Sequence, residues 1–426
     1  MLLLENLDQN TKVISVQNII EAAENLKGVV THTPLQLNIQ LSEEYGCNIY
    51  LKREDLQIVR SYKLRGAYNK MFSLSASEKK QGVVCASAGN HAQGVAFACR
   101  KLNIKGIIYM PKTTPSQKIN QVKLFGKDNV EVVLIGDSYD DAYKSAIAFC
   151  TKNKSIFVHP FDDEKVIEGQ GTVAKEILDD ADFKIDYLLV PIGGGGLAAG
   201  VSIYFSQLSP ETKIIGVEPE GAPAMLISIK NGYNTELDEV DKFVDGAAVK
   251  KVGDKTFEIC KDKLTEIILV PEGRVCTTIL NLYNREGIVV EPAGALTIAA
   301  LSLMKEKLKG KNVVCVVSGS NNDIMRTEEI KERSLFYEGL KHYFMIQFPQ
   351  RPGALKEFVT NILGPTDDIT YFQFSKKNNR EIAPAVVGIE IANKNDIQRI
   401  KDKLTQNKFS FEYINENKAL FTQLIG

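Results

Sequence analysis

This chain of 426 residues has no excess of either charge: 52 lysines and arginines face 53 aspartates and glutamates, for a formal net charge of −1. Such balance excludes a polyanion-binding surface spread over the molecule, so no nucleic-acid partner is expected. The seven cysteines (Cys47, Cys85, Cys99, Cys150, Cys260, Cys276 and Cys315) form no CxxC pair, and several sit in apolar runs such as VVCA and VVCVVS. They read as reduced thiols, which points to a cytoplasmic location. The opening MLLLENLDQN has neither a basic n-region nor an apolar run of signal length, so nothing directs export. Low-complexity tracts and short-period repeats are lacking too. One stretch, Tyr187 to Pro210, runs 24 residues without a charge, but Pro191 and five glycines interrupt it. A strand, a glycine-rich turn and a helix fit it better than a bilayer span, and no membrane partner is expected.

What is present is an ordinary globular composition, with 44% hydrophobic and 25% charged residues. At this length one core cannot serve the whole chain, and two or three domains are expected. Residues 15 to 28 place Val16, Ile19, Ile20, Ala23 and Leu26 on one helical face behind Ser15, a natural N-cap. From about Asn48 short apolar runs alternate with amphipathic segments of helix length. The runs are VVCA (83–86), GIIYM (106–110), VEVVLI (130–135), YLLVP (187–191), KIIGVE (213–218) and NVVCVVS (312–318). That alternation predicts a mainly parallel sheet covered by helices. After Asn322 the texture changes: RTEEIKERSLFYEGLKH is a charged, helix-prone connector. The remainder reads strand (KHYFMIQF), helix (PGALKEFVTNIL), strand (ITYFQFSK), strand (PAVVGIEI), helix (KNDIQRIKDKL) and strand (FSFEYI). This is the order of a small split-βαβ sandwich.

Three stretches carry candidate chemistry. The first, Ser61-Tyr62-Lys63-Leu64-Arg65-Gly66-Ala67, follows the strand NIYLKRED and presents a lysine at a helix start. A lysine nucleophile needs a partly enclosed site to shed its proton, and an ordinary surface lysine fits this segment as well. The second, Ser87-Ala88-Gly89-Asn90-His91-Ala92-Gln93-Gly94, lies between the strand VVCA and a helix, where small residues let backbone N–H groups approach an anion. His91 could act as acid or base there, or could simply pack or cap. The third, Gly193-Gly194-Gly195-Gly196-Leu197, follows the strand YLLVP and offers a nest of N–H donors for a phosphate. It is neither a Walker loop nor a GxGxxG turn, which weakens a dinucleotide-dependent oxidoreductase as a reading. A phosphate nest, a second backbone anion site and a lysine together suit a phosphorylated aldehyde held covalently.

Together the motifs KREDLQIVRSYKLRGA, SAGNHAQGVA, VPIGGGGL, EPAGA (Glu291 to Ala295) and VVSGSNND resemble the fold-type II pyridoxal-phosphate enzymes over nearly the whole chain. Within them the resemblance is to the biosynthetic threonine dehydratases, also called threonine ammonia-lyases or threonine deaminases. It implies two three-layer α/β domains of the tryptophan-synthase-β type, with pyridoxal 5'-phosphate in the cleft between them, and a C-terminal α+β ACT-like domain. The implied catalytic region is 1–325, with a smaller domain of about 50–155 inserted into a larger one of 1–49 plus 156–325. A linker of 326–340 and a regulatory domain of 341–426 would follow.

Carried over by motif, Lys63 would bind the cofactor covalently and serve as base, and Gly193 through Gly196 with Leu197 would hold its phosphate. Asn90 would donate to the phenolic oxygen, and Ser318 would face the pyridine nitrogen. Ser87, Ala88, Gly89, Asn90 and His91 would bind the substrate carboxylate. The implied reaction turns L-threonine, with L-serine as a second substrate, into a 2-oxo acid and ammonia, as the first step of isoleucine synthesis. L-isoleucine would inhibit, L-valine would oppose it, and the protein would be a homotetramer. Serine racemase is similar, but this chain has Ala88 where that enzyme carries its opposite-face serine. It also aligns Ala224 where that enzyme's metal site uses an acid downstream of the residue matching Glu218, so no metal is expected. In the tail, Ala383 replaces the glycine expected before a proline. The alternatives left open are a serine-preferring dehydratase or β-replacement synthase on the same fold, and a catalytically silent amino-acid sensor.

Overall fold

The computed structural model describes residues 14–374 and 381–417. The opening MLLLENLDQN, the end of the expected strand ITYFQFSK and the limit at 426 lie outside the described residues. The chain divides into two compact units, Met1–Ile324 and Met325–Gly426.

In the first unit the strands are β1 (Leu35–Leu37), β2 (Asn48–Arg53), β3 (Val83–Ala86), β4 (Gly106–Met110), β5 (Val130–Leu134), β6 (Ile156–Phe157), β7 (Tyr187–Pro191), β8 (Lys213–Pro219), β9 (Glu266–Val270) and β10 (Asn312–Val317). They form two sheets. One has the order β1-β2-β10-β7-β8-β9, parallel except for its antiparallel edge β1, and the other is the all-parallel β5-β4-β3-β6. The interior strands are apolar on both faces because helices cover both sides. Val190, Val314 and Val316 of the larger sheet pack with Ile19, Val201 and Phe205, whereas Val83, Cys85 and Ile108 of the smaller pack with Leu64, Met71 and Val95. The six expected strands form within a residue of their apolar runs. β1, β6 and β9 were not expected: two are only two or three residues long, and the third is a half-exposed edge. β2 joins the larger sheet and β6 the smaller, so the smaller sheet reaches Phe157, past the expected limit of 155.

Ser15 caps the helix Val16–Leu26 in a reciprocal box with Asn18, as the sequence suggested. Its buried face is Val16, Ile19, Ala22 and Leu26, so Ala22 rather than Ala23 points inward. The uncharged stretch at 187–210 becomes β7, a turn and the helix Gly196–Leu208. Among the described residues no helix is long and apolar enough to cross a membrane.

The helix Glu164–Asp180 is wedged between two others and meets both through glycine. A Cβ on Gly169 would lie 2.6 Å from Arg65 O, in the helix Lys63–Phe72, and one on Gly200 would lie 2.4 Å from Ile167 O. These obstacles are backbone and cannot rotate aside, so both crossings require glycine.

In the second unit the helix Thr327–Tyr337 precedes β11 (Lys341–Pro349), β12 (Asp368–Phe374), β13 (Ile382–Glu390) and β14 (Phe411–Tyr413). The sheet order is β12-β13-β11-β14, antiparallel throughout. The helices Ala354–Ile362 and Asp396–Gln406 bury Phe358, Ile362, Ile400 and Leu404 against Phe344, Ile346 and Val387. The expected connector is thus a helix, and Glu332 on it bonds Tyr343 Oη and pairs with Lys341 Nζ at 3.2 Å. Ala383 is fully buried opposite Phe348.

Gly169→Ala is expected to destabilise the protein by about 1–3 kcal/mol, because overpacking forces backbone shifts. Thermal unfolding followed by circular dichroism checks it.

Candidate active site

The expected residues gather at the carboxyl ends of parallel strands, where open α/β sheets place their ligands. Ser87 follows β3, Gly193 lies two residues beyond β7, and Ser318 follows β10. Lys63 opens its helix beside Ser318, because Tyr62 N–H donates to Ser318 O at 3.3 Å and Ser61 bridges Gly319. Its Nζ donates to Pro160 O at 2.8 Å. Burial strips the ammonium of water and lowers its pKa from 10.5 to about 8, against the pull of Glu291. The sequence left a surface lysine open; the structure places it half-buried, with its amine turned inward onto Pro160 O.

The glycine turn meets the requirements of a phosphate site. Its first intrahelical bond runs from Ala199 N–H to Gly195 O, so the N–H groups of Gly196, Leu197 and Ala198 have no acceptor within their helix. Gly195 sits at φ +92°, closed to ordinary side chains, and a Cβ on Gly194 would lie 2.2 Å from the Phe161 ring. Glycine therefore serves packing behind the turn as well as approach in front of it. Leu197 buries its side chain in the core and offers only its backbone to the site.

The second turn repeats this design. The helix Asn90–Leu102 starts with the bond from Gln93 N–H to Gly89 O, which leaves the amides of Asn90, His91 and Ala92 without a helical acceptor. The Ser87 hydroxyl accepts from Gly89 N–H at 3.2 Å, and Ala88 is half-buried between them. Asn90 Nδ2 donates to Glu291 Oε1 at 2.6 Å, and its Oδ1 accepts from Asn321 Nδ2 at 2.6 Å. His91 is buried, with Nε2 donating to Val158 O at 2.8 Å. That bond puts its hydrogen on Nε2, and burial, reinforced by Lys63, lowers its pKa to about 3. The ring is thus held neutral and anchored through Nε2, while its backbone belongs to the turn.

Beneath Lys63 lies a buried ion network. Arg65 bonds Glu54 through Nε and Nη2 at 2.8 and 2.7 Å, and Glu176 through Nη1 and Nη2 at 2.7 and 2.8 Å. Lys52, also fully buried, donates to Glu176 at 2.7 Å and to Thr33 O at 2.5 Å. Burial disfavours the Glu176 charge, but Arg65 and Lys52 outweigh it and hold the carboxyl below its usual range.

Three features went unassigned in the sequence. Glu291 and Asn321 lay inside the quoted motifs EPAGA and VVSGSNND, which was the available signal. The third is the pair Lys118–Asp245, at 2.6 Å, whose members lie 127 residues apart and which no local pattern marks. Both oxygens of Glu218 accept backbone N–H groups, from Met225 at 2.8 Å and Leu226 at 2.9 Å, at the start of the helix Ala224–Asn231. Among the described residues no group of His, Cys, Asp and Glu is arranged to hold a metal.

Residues 26–319 match the model of the pyridoxal-phosphate dependent enzymes, and the chain belongs to that family, with the fold-type II architecture. Residues 332–424 match the C-terminal regulatory domain of threonine dehydratase. The chain is 58% identical over 412 residues to the biosynthetic L-threonine dehydratase of Halalkalibacterium halodurans, covering 97% of this chain and 99% of that one. To the enzyme of the same name from Bacillus subtilis it is 55% identical over 422 residues, covering 99% and 100%. Among solved structures, the processed form of threonine deaminase isoform 2 from Solanum lycopersicum matches with a TM-score of 0.72 at 41% identity, over 75% of this chain and 87% of that one.

Two outcomes test the site's foundations. Arg65→Met leaves Glu54 buried without its cation and is expected to destabilise by about 3–5 kcal/mol in urea unfolding. His91 takes up a proton at about 6.5 when unfolded but only at about 3 in the fold, so stability is lost as pH falls from 6.5 toward 3. His91→Gln should flatten the thermal midpoint across that window.

Proposed function

We propose that this protein is a biosynthetic L-threonine ammonia-lyase, a cytoplasmic homotetramer that converts L-threonine to 2-oxobutanoate and ammonia under amino-acid feedback. The observation that carries the reading is Lys63, a half-buried amine whose pKa is lowered to about 8, at a helix start tied to the end of β10. The full-length relatives named for this activity support it.

The site fits pyridoxal phosphate on its own chemistry: a half-buried amine for an aldehyde, two sets of amide donors for anions, and a hydroxyl at a strand end. When bound, that cofactor supplies an electron sink that makes the substrate's α-proton removable. Lys63 would hold it covalently through Nζ. The N–H groups of Gly193 through Gly196 and Leu197 would hold its phosphate, where a helix N-terminus favours negative charge. Asn90 would donate to the phenolic oxygen, keeping its second amide hydrogen for that purpose. Ser318, a hydroxyl rather than a carboxylate, would meet the ring nitrogen without stabilising a positive charge there. A hydroxyl at that place suits elimination of a β-substituent better than amino-group transfer.

The amides of Ser87 through His91 would orient the substrate by its carboxylate. Lys63 Nζ would take the α-proton, and a pKa near 8 leaves an appreciable neutral fraction of the amine near neutral pH. The β-hydroxyl and the α-proton are lost together as one water, and uptake of one water in the hydrolysis gives 2-oxobutanoate and ammonia. Ala88 offers no proton donor on the opposite face, so racemisation should be poor. The regulatory domain would bind L-isoleucine as inhibitor, with L-valine opposing it, and the coupling between sites would be reciprocal.

Purified protein loaded with the cofactor should form 2-oxobutanoate from L-threonine, more slowly as L-isoleucine is added. Lys63→Ala should lower the rate by at least about a thousandfold. Turnover indifferent to L-isoleucine removes the feedback claim. An intact near-visible band without product from threonine or serine redirects the reading to a β-replacement synthase.

A further inference from the structure

Glu291 immediately precedes the helix Pro292–Leu308 and is buried. It stands at the N-cap position, but its side chain makes no capping bond to that helix. It reaches instead across the site. Asn90 Nδ2 donates to its Oε1 at 2.6 Å, and the Asn321 backbone N–H donates to the same carboxylate. Asn90 Oδ1 accepts from Asn321 Nδ2 at 2.6 Å, and Asn321 Nδ2 also donates to Val59 O at 2.9 Å. An amide can turn over and exchange its donor for its acceptor. Here one end meets a donor and the other a carboxylate, so a single orientation satisfies both. The loop bearing Ser318 closes directly on this carboxylate, since a Cβ on Gly319 would lie 2.5 Å from Glu291 Oε1.

We propose that Glu291 is a positioning residue of this site, whose carboxylate fixes the direction in which Asn90 offers its second amide hydrogen. The proposal rests on the pyridoxal-phosphate reading above, which gives that hydrogen its partner. Glu291 touches none of the reacting atoms in this scheme and acts through Asn90. The charged and titratable groups that face it are Lys63 and Tyr62 from one helix start, Lys118 from the helix Ser116–Gly126 and Asp245 from the loop beside the glycine turn. Burial and Asp245 push its pKa up to about 7, while Asn90, Lys118 and the Asn321 N–H pull the other way. A protonated carboxyl is a poorer acceptor, so the grip on Asn90 loosens as pH falls through this range.

The test is a double-mutant cycle on the full-length protein with Glu291→Gln, Asn90→Ala and both together. The readouts are the dissociation constant for pyridoxal phosphate and the position and pH dependence of the near-visible absorption band. Thermal unfolding shows that each variant is folded. Glu291→Gln should weaken cofactor binding about tenfold and remove the spectral step near pH 7, and Glu291→Asp should restore part of each. The double variant should be no worse than Asn90→Ala alone. Losses that multiply, or a Glu291→Gln protein with unaltered binding and spectrum, overturn the proposal. If Glu291→Gln does not fold, Glu291→Asp is cycled with Asn90→Ala under the same criterion. A wild-type protein with no near-visible band overturns the underlying cofactor reading instead.

Discussion

The guanidinium of Arg65 is the constraint on which the catalytic unit depends. It is fully buried and reaches two carboxylates, Glu54 at the end of β2 and Glu176 on the helix Glu164–Asp180. Burying an arginine is unfavourable unless every donor is used, and here each N–H has a protein acceptor. Two residues upstream on the same helix stands Lys63. The larger sheet, the wedged helix and the helix carrying the amine are therefore held by one rigid fork, beneath a site that needs that amine placed within fractions of an ångström.

Around that fork the site repeats one device. A parallel strand ends, a short run of small residues turns the chain, and a helix begins with its first amides unspent. The device occurs after β3 and after β7, and each instance meets an anion in the proposed scheme. Charged side chains are few among the groups that would touch the ligand, and most of the polarity is backbone. This lets the lysine remain poised near neutrality, since a nearby cation would lower its pKa further and a closer anion would raise it.

Much of this was legible in the sequence because it is local. Strand, turn and helix are contiguous in SAGNHAQGVA and VPIGGGGL, and the tail's strand and helix order could be read directly from its apolar periodicity. What escaped was set by contacts between distant residues. Nothing near Ala22 shows that it packs inward while Ala23 does not, since that depends on the helix beneath. β9 is a half-exposed edge strand whose apolar run was not among those read from the sequence, and β6 is too short to show a period. The partnership of Glu291 with Asn90 spans 201 residues and that of Lys118 with Asp245 spans 127, so neither leaves a local trace. His91 was ambiguous for the same reason, because only the bond to Val158 O decides that its ring is an anchor.

The helix Thr327–Tyr337 has a consequence for how the tail could be exchanged between proteins. Its Glu332 is gripped by Tyr343 and Lys341 of β11, so helix and sheet share one set of polar partners. Lys341 is buried and would lose its counter-charge if the helix stayed behind. The inheritable module therefore begins before the helix, and a graft or recombination joint drawn at the first residue of β11 would split it. The compact unit to which that helix belongs starts at Met325, upstream of both partners.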